Sequence, residues 1–137
     1  MKIVLDTNCL IQSLPMQSRY HAVWQSFVEG RNTLCVSNEI IEEYLEILQR
    51  LFDFETAELT VKTILNSPFV EMITPYYRFH LIEADPDDNK FVDCAFSAGA
   101  RYIVTNDRHY EVLRRIPFPH IDIIALHDFH QLLGQNN

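Results

Sequence analysis

The stretch Met1-Lys2-Ile3-Val4-Leu5-Asp6-Thr7-Asn8 constrains the fold more than any other. Ile3-Val4-Leu5 is apolar without alternation. That is the pattern of a strand buried on both faces, as in a parallel sheet covered by helices. Further short runs of this kind lie at Thr33–Val36, Phe69–Thr74, Arg101–Thr105 and Ile121–Leu126, with helical patterns between them. Strands alternating with helices imply βαβ units. The expected fold is therefore a single-domain three-layer α/β/α sandwich with a central, mostly parallel sheet. It should span residues 1–134, with residues 135–137 a frayed C-terminus.

Such sheets bind their ligands outside the carboxyl ends of the strands. Asp6 stands at one of those ends, although Asp is also a good helix cap. The helix after the second strand should be capped by Ser37 or Asn38 and carries an apolar stripe of Ile40, Ile41, Tyr44, Leu45, Leu48 and Leu51. At about 100° per residue, Glu39, Glu42 and Glu46 point away from that stripe, and Glu43 lies nearest its edge. Asp85 as cap, Pro86 as first helical residue and Gly99 just past the end punctuate a later helix. Asp88 falls on its apolar face with Phe91 and Val92, where an unpaired charge is expensive. Asp93 is expected at the surface, and Asp87 is intermediate. Asp107 follows the fourth strand and heads a helix expected over Arg108 to Ile116, with Val112, Leu113 and Ile116 inward. Ser18 is the expected cap of the helix containing Val23, Trp24, Phe27 and Val28, which Gly30 should stop. A last helix is expected from Asp128 to Leu133.

The 137 residues carry 11 basic against 19 acidic side chains, a net charge of −8. That excludes a protein that grips nucleic acid through a broad basic face. It leaves room for a nuclease, because acids that load a divalent ion convert local negative charge into a phosphate site. Cys9, Cys35 and Cys94 have no CxxC spacing and apolar neighbours, so they should be core residues in a reducing compartment. With no signal-peptide pattern and no apolar run of about 18 residues, a cytoplasmic protein without membrane association is expected.

Four acids thus reach one sheet edge by separate routes: Asp6, Glu43, Asp88 and Asp107. Crowded carboxylates are stable only when protonated or bridged by cations. Hard oxygen donors suit Mg²⁺ or Mn²⁺, and the four acids are the candidate metal ligands and catalytic groups. Thr7, Asn8, Thr105 and Asn106 adjoin them and are candidates for orienting them. Lys90, Arg108 and His109 flank them and are the candidate contacts for a substrate's phosphates.

The segments Ile-Val-Leu-Asp-Thr-Asn at Ile3–Asn8, Val-Ser-Asn-Glu-Ile-Ile-Glu-Glu-Tyr at Val36–Tyr44, Asp-Pro-Asp-Asp-Asn-Lys-Phe at Asp85–Phe91 and Ile-Val-Thr-Asn-Asp at Ile103–Asp107 together resemble the PIN-domain nucleases. The likeness is greatest to the VapC-like toxin components of bacterial toxin–antitoxin pairs. It implies a PIN-like fold and a metal-dependent endoribonuclease that cuts single-stranded RNA to leave 5′-phosphate and 3′-hydroxyl ends. It further implies a homodimer held inactive by a cognate antitoxin protein.

Two other readings fit some of the same residues. A non-catalytic PIN-fold module would dock a basic partner segment in the acidic cleft. A phosphohydrolase with Asp6 as nucleophile would follow the haloacid-dehalogenase-like pattern, but that pattern has a second Asp where this chain has Asn8.

Overall fold

The computed structural model describes residues 1–135. Its five strands are β1 (Lys2–Leu5), β2 (Thr33–Val36), β3 (Val70–Met72), β4 (Tyr102–Val104) and β5 (Ile123–Ile124). They form one sheet in the order β3-β2-β1-β4-β5, and every neighbouring pair is parallel. Ile3, Val4, Leu5, Leu34, Cys35, Val36, Ile103 and Val104 are all fully buried, so the unbroken apolar runs do mark strands covered on both faces. The last three strands are shorter than the apolar runs. Pairing nevertheless reaches one residue further, with Ile73 N–H donating to Val36 C=O at 2.7 Å and Thr105 N–H to Ile124 C=O at 2.9 Å.

The strand order decides where a ligand can bind. From β1 the chain steps outward to β2 and β3, then crosses back to place β4 on the other side of β1. Connections leaving opposite sides of β1 separate there, and the carboxyl ends of β1 and β4 flank the resulting crevice.

Six α-helices surround the sheet: α1 (Thr7–Ser13), α2 (His21–Val28), α3 (Asn38–Leu51), α4 (Phe54–Asn66), α5 (Asn89–Ala98) and α6 (Leu126–Gln135). Helix α5 packs on β1, β2 and β4, while α2 packs on α1 and α6. Ser37 caps α3, its side chain accepting from Ile40 N–H, and Asp53 caps α4 by accepting from Thr56 N–H. Buried Tyr44 donates its hydroxyl to Leu5 C=O at 2.6 Å. This bond ties the middle of α3 to the end of β1.

Helix α2 ends in a double hydrogen-bonded cap, with Gly30 N–H donating to Phe27 C=O and Arg31 N–H to Ser26 C=O. Gly30 has φ +80, and a Cβ there would stand 2.8 Å from the Phe69 ring. No other residue type fits without strain.

Several local expectations change. Ser18 does not cap α2, which begins after Tyr20 without a side-chain cap; Ser18 accepts from Tyr20 N–H inside the preceding turn. The segment Arg108–Arg115 is a 3-10 helix rather than an α-helix. Its inward side chains are the expected Leu113 with, partly buried, Val112 and Ile116, joined by fully buried Tyr110. The two fully buried residues, Tyr110 and Leu113, are three apart, matching the three residues per turn of a 3-10 helix. Helix α6 runs through Gly134 and Gln135, two positions beyond the expected Leu133; residues 136 and 137 of the expected frayed end lie outside the described residues. Asp93 is not at the surface: it is 3% exposed and accepts from Phe79 N–H at 3.1 Å. Burial raises its pKa above the ordinary carboxylate value. Among the described residues, no helix is long and apolar enough to cross a membrane.

Phe79 belongs to an irregular strap between β3 and the 3-10 turn Pro86–Asp88. The strap is pinned a second time at buried Ile82. Its N–H donates to Asn89 Oδ1 at 2.9 Å, and its C=O accepts from Asn89 Nδ2 at 3.0 Å. Asn89 is the first residue of α5, so it fixes the strap to the helix start that presents Asp88. Asn89→Ala would strand two buried backbone groups, each worth about 1–3 kcal/mol. The expected loss is about 2–4 kcal/mol, a fall in unfolding midpoint of roughly 10 °C, measurable by thermal denaturation. A fall of under about 2 °C would show that the strap is held by other contacts.

Candidate active site

Asp6 follows β1 directly, and its N–H continues the ladder by donating to Val104 C=O at 3.0 Å. Its side chain makes no cap hydrogen bond to α1. The carboxylate instead turns across the crevice, where Oδ2 accepts from the buried Thr105 hydroxyl at 2.8 Å. Burial is the main reason its pKa rises from 3.8 to about 6, and the charges of Glu43 and Asp107 add to that rise. The Thr105 hydroxyl and the Thr7 N–H oppose it.

Asp88 enters from α5, whose first turn faces the strand ends because the helix runs back toward the start of β4. The residue is 8% exposed, and its Oδ2 is buried without a hydrogen-bond partner. Desolvation, then the charges of Asp85, Asp6 and Asp107, push its pKa up to about 7. The buried Tyr110 hydroxyl faces the Asp88 carboxylate and acts against that rise, although neither Tyr110 Oη nor Asp88 Oδ2 completes a hydrogen bond of ordinary geometry. Asp107 is the cap expected of it. It caps the 3-10 helix, Oδ1 accepting from His109 N–H at 2.9 Å, while its own N–H donates to Thr105 Oγ1 at 3.1 Å.

Glu43 arrives from the second turn of α3. It accepts a hydrogen bond from Thr7 Oγ1 and pairs with Lys90 Nζ at 2.8 Å. Lys90 is thereby mostly buried, its side chain 14% exposed, and is engaged within the site. Arg108 is exposed, and His109 sits beside Asp107 and Asp88. Of the neighbours expected to orient the acids, Thr7 bonds Glu43 and Thr105 bonds Asp6, whereas Asn8 is exposed. Asn106 faces elsewhere: its Oδ1 accepts from Leu126 N–H at 3.0 Å and so caps α6.

The acids are not equally close to one another. Donor atoms of Asp85, Asp88, Asp107 and His109 all lie within 4.8 Å of each other. Asp6 and Glu43 border this group from the β1 side, and Asp6 is coupled by charge to Glu43, Asp88 and Asp107. From sequence, Asp85 read as a cap, which it also is, accepting from Asp87 N–H. Tyr110 went unnoticed because a tyrosine among Arg, His and Glu carries no periodic signal; only its three-residue spacing from Leu113 marks it as inward. A polar groove of about 240 Å³ adjoins Asp107 and includes Arg108 and Arg114. By contrast, an apolar hollow of about 310 Å³ beside the amino ends of β2 and β3, lined by Trp24, Phe27, Leu34, Ile64 and Val70, holds no ionisable group.

These donors fit a hard divalent ion, which takes carboxylate oxygens and tolerates few of them. The buried, unpartnered Oδ2 of Asp88 is the atom that most needs one.

A parallel doubly wound sheet with carboxylates lining its switch point defines the class of protein. A family model described as PIN domain matches residues 2–109, and the chain belongs to the PIN domain family. It is similar in fold to VapBC2 from Rickettsia felis, solved bound to a DNA fragment from the promoter, with TM-score 0.62 and 16% identity over 91% of this chain and 98% of that one. DNA-bound VapBC from Salmonella typhimurium matches with TM-score 0.61 and 20% identity over 92% of this chain and 98% of that one. VapBC-1 from nontypeable Haemophilus influenzae gives 0.62 and 15% over 93% and 99%. No curated protein sequence matches the chain.

The raised pKa of Asp88 has a consequence for stability. A carboxyl ordinarily at 3.8 and held near 7 in the folded protein opposes folding once it ionises. The penalty is absent below about pH 4, grows as pH rises, and is complete above about pH 7. Asp88→Asn without added metal should therefore raise the unfolding midpoint at pH 8 and leave it nearly unchanged near pH 4. Equal destabilisation at both pH values would instead assign the carboxylate a structural role.

Proposed function

We propose that this protein is a Mg²⁺- or Mn²⁺-dependent endoribonuclease that cuts single-stranded RNA, acting in the cytoplasm as the toxin of a toxin–antitoxin pair. Asp6, Glu43, Asp88 and Asp107 form its metal-binding and catalytic set. The observation that carries this function is the buried, unpartnered Asp88 oxygen among acids at the switch point. A folded protein retains such an arrangement only where the acids take up protons or a cation offsets them, and a divalent cation is the offset that also supplies chemistry.

When bound, a divalent ion there polarises the scissile phosphodiester and activates an attacking water. The chain's own residues set the geometry. Thr105 holds the Asp6 carboxylate across the gap between β1 and β4, and Asp88 and Asp107 present oxygens from the opposite wall. Thr7 and Lys90 fix Glu43 at the rim. Lys90 also keeps one positive charge beside the acids, favourable for an entering phosphate. Arg108, with Arg114, lines the polar groove next to Asp107 and supplies phosphate contacts along the RNA backbone.

The cognate antitoxin is inferred from the likeness to the VapBC structures together with the sequence resemblance, and the homodimeric state from the sequence resemblance alone. A non-catalytic module docking a basic segment in the acidic cleft is the second reading; the crowding of donor atoms from Asp85, Asp88, Asp107 and His109 within 4.8 Å favours a compact cation over an extended chain.

The test is cleavage of a labelled single-stranded RNA with Mn²⁺. Asp6→Ala and Asp88→Ala should each lower the rate by about 10² or more, the loss typical of removing one preorganised charged group. Glu46→Ala, on the exposed face of α3 and paired only with Arg50, should cleave as the wild type does, and the products should carry 5′-phosphates. Undiminished cleavage by Asp88→Ala would sink the assignment.

A further inference from the structure

We propose that His109 is itself a metal ligand and that its imidazole selects a first-row transition ion such as Mn²⁺ over Mg²⁺ at this site. The inference rests on the metal-dependent function above and names a ligand outside its four acids. His109 Nδ1 lies 3.4 Å from Asp107 Oδ1 and 3.8 Å from Asp88 Oδ2. Two donors on one octahedral ion at about 2.1 Å stand about 3.0 Å apart when adjacent and about 4.2 Å apart when opposite. The observed 3.4 and 3.8 Å each lie about 0.4 Å from one of these two values, so a small movement of the exposed imidazole brings its nitrogen into ligand position. As hydrogen bonds they are poor, 3.8 Å being out of reach and 3.4 Å at the outer margin.

A second observation points the same way. The Asp88 atom facing the imidazole is the Oδ2 that is buried and unpartnered, on a side chain from a residue only 8% exposed. Asp85 adds a further oxygen, since one donor atom from each of Asp85, Asp88, Asp107 and His109 lies within 4.8 Å of the others. The histidine is held in place from its backbone: its N–H donates to Asp107 Oδ1 at 2.9 Å, which fixes the ring's attachment relative to one of its co-ligands. A site made only of oxygens suits Mg²⁺ and Mn²⁺ alike, whereas an imidazole nitrogen shifts affinity toward transition ions.

His109 is exposed on its outer side, so replacing it leaves the core intact and the unfolding midpoint within about 2 °C. The experiment measures Mn²⁺ and Mg²⁺ binding by calorimetry to the full chain, with pulsed electron paramagnetic resonance of the Mn²⁺-loaded protein. The wild type should show coupling from a directly bonded ¹⁴N. His109→Gln should lose that coupling and bind Mn²⁺ at least about 10-fold more weakly, with Mg²⁺ affinity changed less than about 3-fold. His109→Lys keeps a positive charge but not the ligand and should behave as His109→Gln; wild-type behaviour would show that charge alone matters and would overturn the assignment. Mn²⁺ bound without nitrogen coupling, or equal losses for both ions, would overturn it too and leave the carboxylate site standing. Absence of any Mn²⁺ binding by the wild type would overturn both.

Discussion

The rest of the site follows from one constraint: a carboxylate buried between the ends of two parallel strands. Asp6 cannot retreat to solvent, because its own N–H is committed to the ladder with β4. Its charge must be met from across the gap, and the Thr105 hydroxyl does so from the residue that ends β4. The same hydroxyl also receives the N–H of Asp107. One threonine thus couples the first acid to the last. The bond answers only part of the desolvation, which is why the Asp6 pKa still rises to about 6.

The acids supplied by helices are held more indirectly. Glu43 depends on Ser37 starting α3 in register and on Tyr44 anchoring the helix to Leu5. Its neighbour Lys90 comes from α5, so the Glu43–Lys90 pair links two helices at the crevice mouth. Being partly buried and supported by Thr7, it is better placed to matter than the exposed pairs such as Glu46–Arg50, whose worth is small. Asp88 depends on the strap that Asn89 and Asp93 hold against α5. These two polar side chains on the buried part of a helix bond to backbone groups, as buried polar groups generally do.

Much of this was legible in the sequence where the deciding interactions are local. Unbroken apolar runs located the buried strands, and the helical angle singled out Glu43 from its neighbours on α3. Asp88 stood out because it shares a face with Phe91 and Val92. The same logic failed for Asp93, whose partner is the Phe79 backbone on a strap with no periodicity to reveal its path. Asn106 likewise pairs with Leu126, 20 residues away, a contact no local pattern announces. The closeness of His109 and Asp85 to the other acids arises from two tight turns meeting at the crevice, and spacing within either turn says nothing about the other. The strand order was not legible either, and it is what brings Asp6 beside Thr105.

That strand order also sets when the site comes into being during synthesis. β1 is made first, yet its β4 edge stays open until residues 102–104 exist, and the bond between Thr105 and Asp6 spans 99 residues. Contacts so distant in sequence form late, after the closure of a long loop. A growing chain can build β1, β2 and β3 with α1 to α4 and still lack half of its acidic crevice. The assembled crevice therefore belongs only to chains that extend past Asp107, and a fragment released before that point lacks the Thr105 bridge between its first acid and its last.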